Sequence, residues 1–421
     1  MTRVFKFGGA LMKDAKGIRR VASIIADYQS EPLVVVVSAL GKTTNALEEL
    51  VRFSRSKDQK EREKVFVHLR KYHFEMAETL IGNASHSIFD HLDALFVLLN
   101  KELKEPPDDK YFHYDQVVGF GEQLSSLIVS AYLQKIGQAA HVVDAHTLIV
   151  TDSNYTAAKV DWKFTEKTIQ SRVPPILENG EVVITQGFIG ADHKGMFTTL
   201  GREGSDFTAA IFANVLDADE ASIWKDVPGL MNTDPKRFSN SVKLDQISYH
   251  EAIELAFYGA SVVHPKTIQP VQHKNIPLKV RSFNNPESDP SVINNETSHD
   301  DQVHKVIVKD KQVLLSIASR DLSFIAEDNL TGIFKAFSRN KIHINLMQHS
   351  AVSFSVCFDE DNDKLQALMA ALKDDFRLTY NKGLTLITIR HYTNELLEEF
   401  TSGKNIFLEQ KSRSTVQVLV D

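Results

Sequence analysis

The 421-residue chain has a single cysteine, Cys357, so no disulfide can form within it. Cys357 alternates with polar residues in VSFSVCF, the pattern of a buried strand thiol rather than a reactive nucleophile. No run of 18 apolar residues occurs to span a bilayer. The opening residues, MTRVFKFGGALMKDAK, lack the apolar centre of a signal peptide, and a reducing cytoplasm is the expected location. Basic charge is not in excess. The formal net charge is −7, which disfavours a nucleic-acid or acidic-membrane partner, since either requires a basic face. There is no Walker A pattern and no G-x-G-x-x-G, and the 16 histidines form no H-E-x-x-H or comparable spacing. A P-loop, a dinucleotide fingerprint and a zinc site built by the protein are therefore not expected.

What remains is ordinary for a globular protein, with 43% hydrophobic and 24% charged residues, at a length that implies two or three domains. The first half alternates strand and helix signals. RVFKFGG ends in glycines, AKGIRRVASIIADY has helical spacing, and PLVVVVSALG is a β-branched run suited to a strand buried on both faces. AAHVVDAHTLIVT, EVVITQGFIG, ASIWKDVPGL and IPLKVRSF read as further strands. The expected fold is α/β, a largely parallel sheet sandwiched by helices. The charged stretch near residues 55–110 reads as helix with a solvated face. Residues 284–302, rich in Asn, Ser, Asp and Pro, read as a linker. Beyond them QVLLSIAS, DNLTGIFKAFSRNK, IHINLMQHS, AVSFSVCFD, DKLQALMAALKDD and FRLTYN give β-α-β-β-α-β, a ferredoxin-like α+β order. LTLITIRHY, TNELLEEFTSG, NIFLEQKS and STVQVLVD begin it again. The expected domains are 1–295, 303–382 and an abbreviated repeat at 383–421, with 303–311 (VHKVIVKD and its flanks) a candidate strand of that second repeat.

Chemistry-bearing residues gather at strand–helix junctions. In KFGGA, Gly8 and Gly9 let backbone N–H groups approach an anion, and Lys6 adds a full charge; a plain turn explains the glycines equally well. In VVVVSALGKTTN, Ser38 precedes Gly41, and Thr43 or Thr44 reads as a helix N-cap. Glu122 in GFGEQLSS complements a helix dipole and could also hold an ammonium group. GREGSD is harder to explain structurally. An N-cap accounts for Ser205 or Asp206 but not for Arg202, whose planar fork matches a carboxylate. DVPGLMNTDPK and GASVVHPKT add Lys236 and Lys266, with Lys225 just before the first; His264 reads as structural. The set suits a metal-bound phosphoryl donor beside a small amino acid, because phosphoryl transfer needs mainly positioning and charge neutralisation.

In their order these stretches resemble the aspartate kinases of the amino-acid-kinase superfamily. The matching segments are KFGG, VVVVSALGKTTN, GFGEQLSS, GFIGADHKGMFTTLGREGSDFTAA, DVPGLMNTDPK, SYHEAIELAFYGASVVHPKT and VRSFNNP. They cover essentially the first 290 residues, and the C-terminal repeat resembles the family's paired ACT domains. The resemblance implies the amino-acid-kinase fold and phosphorylation of the L-aspartate side-chain carboxylate by Mg-ATP, the metal riding on the nucleotide. Lys6 and Asp206 are then the catalytic pair. Ser38, Thr44, Glu122, Arg202, Glu203, Gly204 and Ser205 form the aspartate pocket, Glu122 toward the amino group and Arg202 toward the α-carboxylate, while the Glu203 side chain itself is expected to face solvent. Lys6, Gly8, Gly9, Lys225, Asp226, Met231, Lys236, Lys266 and Thr267 fall where the family holds ATP.

The resemblance also implies feedback by lysine, threonine or both, and a homodimer formed through ACT sheets. The effector region falls on EDNLTGIF and IHINLMQHS, around Asn329, Leu330, Ile344 and Asn345. Departures from the family pattern are Ala10 and Leu11 in place of two hydroxyl residues, Glu203 in place of Gly, Lys225 in place of Thr, Met231 in place of Tyr, and Asn345 where lysine-inhibited relatives often carry Asp. A neutral amide holds an ammonium less well than a carboxylate, which counts against lysine sensing unless Glu327 or Asp328 compensates. Asp328 also reads as a helix N-cap. The rival readings are a kinase of the same fold with another acceptor, and a non-catalytic amino-acid sensor.

Overall fold

The computed structural model describes residues 1–82, 86–260, 263–321 and 323–421. The chain forms two compact units, one of Met1–Leu230, Lys243–Ile253 and Val262–Thr297, the other of Met231–Val242, Glu254–Ser261 and Ser298–Asp421.

The first unit is built on eight strands in the order Gln246–Ser248, Ser291–Asn294, Leu278–Ser282, Glu220–Lys225, Arg3–Phe7, Leu33–Val37, Val182–Gln186, Ala140–Val142. Every neighbouring pair is parallel except Leu278–Ser282 with Ser291–Asn294. Leu33–Val37 is buried at every position, as a β-branched strand covered on both faces should be. Phe5, Phe7, Val35 and Val37 share one core with Ile18, Val21 and Ile25 of the helix Ala15–Ala26, and with Leu69, Met76 and Leu80 of Gln59–Ile81. The helix Gly204–Val215 also packs on the strands Arg3–Phe7 and Leu33–Val37. Ala15–Ala26 starts where Asp14 accepts from the Gly17 N–H at 2.8 Å. Strand order reverses around Arg3–Phe7, so the carboxyl ends of Arg3–Phe7, Leu33–Val37 and Glu220–Lys225 open onto the crevice where such sheets bind ligands. A small sheet of Val150–Thr151, Ile189–Asp192 and Phe197–Thr199 stands apart from the large one.

Two expectations are corrected here. The presumed linker contains the sheet strand Ser291–Asn294. Its composition hides it because Ser291 is buried and its hydroxyl accepts from the Leu230 N–H at 2.8 Å, a use for a polar residue that periodicity does not reveal. AAHVVDAHTLIVT is two short strands, Ala140–Val142 and Val150–Thr151, split by a 3-10 turn at Ala145–Thr147. The Ala145 N–H that opens the turn is bonded to the Gln186 side chain at 2.7 Å.

The second unit carries a six-stranded antiparallel sheet in the order Ile344–His349, Ser353–Asp359, Lys305–Ser319, Phe376–Arg390, Thr415–Val420, Ile406–Lys411. Helices Glu327–Arg339 and Asn362–Leu372 close one core over Val313, Leu315 and Ile317, and Asn394–Thr401 closes another over Ile387 and Ile389. VHKVIVKD and QVLLSIAS, read as separate strands, are one strand whose register shifts between Lys309 and Gln312, with Lys311 at φ 53. FRLTYN and LTLITIRHY likewise run together through Gly383 at φ 70, so each long strand serves both halves of the sheet. Asp328 is not a cap. Ala326 holds that position, and Asn329 Oδ1 accepts its N–H at 3.1 Å. Cys357 is fully buried, and burial pushes its thiol up to about 12, with Asp359 adding to the shift.

Candidate active site

Two backbone junctions form the floor of the site. A Cβ on Gly9 would lie 2.1 Å from the Ala39 carbonyl oxygen, so only glycine allows the first junction to approach the second. The Gly41 N–H closes the pair by donating to the Gly9 carbonyl at 2.9 Å. Leu11, which replaces a hydroxyl residue of the family pattern, is buried in the core, while Ala10 is exposed. The expected cap on the helix Thr43–Ser56 is not formed. Lys42 occupies the cap position without a side-chain bond, Thr43 lies 3.4 Å from His73 Nε2, and Thr44 faces the cavity.

Lys6 projects from the end of its strand and pairs with Asp206 Oδ1 at 2.6 Å, their side chains only 13% and 6% exposed. Asp206 lies in the first turn of Gly204–Val215, where Glu203 is the cap residue, so neither Ser205 nor Asp206 caps the helix as expected. The turn before it needs left-handed backbone at Gly201, φ 77, and at Glu203, φ 53. Glu203 is exposed, yet it does not simply face solvent: its Oε2 accepts from the His264 N–H at 3.0 Å. Arg202 is exposed and makes no ion pair among the described residues.

Glu122 comes from the helix Phe120–Lys135 and is 3% exposed. Its Oε1 accepts from the Ala39 N–H at 3.2 Å, and Oε2 has no partner among the described residues. Burial pushes its carboxyl up to about 8, against the opposing pull of the Ala39 N–H and Lys6. Lys6, Ser38, Thr44, Glu122 and the turn Arg202–Asp206 share one cavity of about 820 Å³. Sequence reasoning missed the rest of its wall. Glu48, Val51, Arg52 and Arg55 fall on one face of Thr43–Ser56, a helical spacing present in the sequence but masked by the charge of the region. Tyr114 also lines it, its hydroxyl donating to Glu48 at 2.7 Å.

The residues assigned to ATP do not line this cavity apart from Lys6. Lys225 and Asp226 lie at the end of Glu220–Lys225, in register with Arg3–Phe7. Lys266 Nζ donates to the Leu200 carbonyl at 2.9 Å and sits 5.1 Å from the Phe207 ring centroid; burial lowers its ammonium pKa. Thr267 is fully buried, its hydroxyl unpartnered among the described residues. Met231 and Lys236 belong to the second unit. Ser261 and Val262 of the YGASVVHPKT stretch lie outside the described residues. Among the effector residues, Leu330 and Ile344 pack on a sheet core. The Asn345 amide is engaged within the sheet, accepting from Lys309 at 2.9 Å and donating to Gln312 and Asp359 at 2.8 and 2.9 Å.

A parallel sheet with glycine junctions at its reversal point, a Lys–Asp pair and a cavity beside them defines an amino acid kinase. Residues 1–282 match the amino acid kinase family, and the chain belongs to it. Within that family it belongs with the aspartokinases. It is 30% identical over 446 residues to chloroplastic aspartokinase 1 of Arabidopsis thaliana, covering 99% of this chain and 77% of that one. It is 29% identical over 416 residues to lysine-sensitive aspartokinase 3 of Escherichia coli, covering 96% and 90%. It spans only 43% of a bifunctional aspartokinase/homoserine dehydrogenase of Arabidopsis thaliana to which it is 30% identical. The solved structure of Escherichia coli aspartokinase III with lysine and aspartate superposes with a TM-score of 0.84 at 28% identity, covering 99% and 95%. The form with aspartate and ADP gives 0.82 at 27%, covering 100% and 96%.

Proposed function

We propose that this chain transfers the γ-phosphoryl group of ATP to the side-chain carboxylate of L-aspartate, giving 4-phospho-L-aspartate and ADP. The observation carrying this reading is that one cavity holds a buried carboxylate with one oxygen unpartnered among the described residues, an Arg without an ion pair among them, and a Lys–Asp pair. Those three features are complementary to the ammonium, the α-carboxylate and the reacting end of aspartate. Glu122 receives the ammonium and Arg202 clamps the α-carboxylate through paired hydrogen bonds. Ser38, Thr44 and Ser205 supply polar wall. Lys6, oriented by Asp206, neutralises charge that develops on the transferring group, while the Gly8–Gly9 backbone admits phosphate closely. Lys225, Asp226, Lys266 and Thr267 of the first unit are the proposed nucleotide contacts. Magnesium carried on ATP would supply charge neutralisation at the phosphates; among the described residues no three His, Cys, Asp or Glu groups converge to hold a metal on their own.

Residues 1–295 are proposed as the catalytic domain, with ACT repeats at 303–382 and 383–421, the second sharing 303–311. The ACT sheet is the proposed site of feedback by lysine or threonine and of homodimerisation. The product would enter synthesis of lysine, threonine, methionine and diaminopimelate. No helix among the described residues is long and apolar enough to cross a membrane, and the proposed location is the cytoplasm.

The test is aspartate-dependent ADP release with Mg-ATP, with and without lysine and threonine. Release that aspartate saturates is the expected result. A folded, ATP-binding protein that releases no ADP would instead be a sensor. Suppression by lysine would show that Asn345 does not abolish lysine sensing.

A further inference from the structure

Asp115 and Gln116 are adjacent on the helix Lys110–Val118, a short way ahead of Glu122 in the chain, and neither touches the reacting groups. Asp115 is fully buried and Gln116 is 7% exposed. Asp115 Oδ2 accepts from the Thr199 N–H at 2.9 Å and the Thr156 N–H at 2.9 Å, and Oδ1 accepts from the Thr199 hydroxyl at 2.8 Å. Gln116 Nε2 donates to the Phe197 carbonyl at 2.8 Å, while its Oε1 accepts from the Phe197 N–H at 3.2 Å. Phe197 and Thr199 are the two ends of the strand Phe197–Thr199, whose other edge pairs with Ile189–Asp192. The two side chains stand along the strand's second edge and satisfy backbone groups there, the Thr199 carbonyl being taken by the Ala158 N–H at 3.0 Å.

A buried carboxylate with no ion-pair partner among the described residues is a costly way to hold a strand end. The residues just beyond that strand explain its use. Leu200 and the left-handed Gly201 lead directly to Arg202. Thr156, the third anchor of Asp115, has φ 71 and lines the same cavity as Thr199 and Gly201. On the helix side, Gly119 joins Lys110–Val118 to the helix carrying Glu122, and a Cβ there would lie 3.2 Å from Ile189 Cγ2 in the same small sheet. The element that presents Glu122 and the strand that presents Arg202 are thus fastened together at Asp115, Gln116 and Gly119.

We propose that Asp115 and Gln116 are positioning residues that set the separation of Glu122 from Arg202, and with it the affinity for an α-amino dicarboxylate. This rests on the aspartate reading of the cavity. A ligand held at two charged ends loses affinity when their spacing drifts, and a drift of about 1 Å is enough to matter. The proposed ATP contacts lie elsewhere except Lys6 and Lys266, whose Nζ donates to the Leu200 carbonyl at 2.9 Å, and both hold single points rather than a spacing between two charged ends, so the ATP KM should move far less than the aspartate KM.

The test measures KM for aspartate and for ATP separately in the wild type, Asp115→Asn and Gln116→Ala, each checked for folding by circular dichroism. Asp115→Asn keeps the size but leaves one accepting oxygen in place of two. The expected result is an aspartate KM raised about tenfold or more, with the ATP KM within about twofold of wild type. Loss of folded enzyme lowers kcat alone and moves neither KM, so a merely structural role cannot imitate that split. Should Asp115→Asn or Gln116→Ala fail to fold, Gln116→Glu retains the shape while setting an oxygen against the Phe197 carbonyl, and is read by the same two constants. An unchanged aspartate KM, or two KM values rising together, would overturn the inference while leaving the kinase reading intact. A wild type that releases no ADP with aspartate would take down both.

Discussion

Glu122 is where a single residue makes the site sensitive to pH. Its carboxyl is raised from an ordinary 4.5 to about 8, so the empty folded protein keeps a proton that the unfolded chain gives up. Its contribution to stability therefore falls as pH rises from about 4.5 to about 8, by an amount on the order of a few kcal/mol. The substrate ammonium favours the ionised form, so binding below pH 8 must expel that proton. The aspartate KM should fall by about tenfold per pH unit as pH is raised toward about 8, then level off. Glu122→Gln should weaken aspartate most near and above pH 8, approach the wild type at low pH and remove the slope; a pH series of KM values decides it. Lys6, Glu122, Arg202 and Asp206 were legible in the sequence because each sits in a motif with excess polar function. Asp115 and Gln116 were not, since an isolated Asp-Gln in a helix carries no spacing signature and its partners are distant in the chain. The threonine and serine caps that the sequence suggests do not form, because Lys42 and Glu203, which composition does not favour, hold the cap positions.

At the scale of elements, the charged helices near 55–110 read as solvated, and one face of Gln59–Ile81 is. The other face buries Leu69, His73, Met76 and Leu80. From that helix Tyr72 donates to the Lys13 carbonyl at 2.8 Å, and its hydroxyl would lie 3.1 Å from a Cβ on Gly41. His73, pushed down to about 4 by burial, stays neutral beside Thr43. The helix Gln59–Ile81 thus braces both glycine junctions. Tyr72→Phe should cost about 1 kcal/mol of stability and raise the ATP KM a few-fold, measurable by urea unfolding and steady-state kinetics. The parallel sheet and the β-α-β-β-α-β order were legible because β-branched runs and helical periodicity are local signals. The strand Ser291–Asn294 and the continuity of the two long strands depend on distant partners, which no local pattern reveals.

At the scale of the molecule, residues 231–242 and 254–261 interrupt the first unit in sequence but fold with the second. The Asn232 carbonyl accepts from the Val306 N–H at 2.9 Å, Phe238 meets Phe400, and Glu254 faces Arg390 at 3.3 Å. A chain ending at residue 297 would lose all of these partners. It should melt below the full-length protein and expose apolar surface, which differential scanning calorimetry and dye binding would register. The lone thiol of Cys357 has a practical corollary on the same scale. Buried in the sheet and held almost wholly as the thiol, it gives maleimides and other thiol-directed labels nothing to react with in the native protein. A cysteine introduced at any exposed position would carry a fluorophore or spin label alone, so distances within and between the two units can be measured in solution without first removing the native residue.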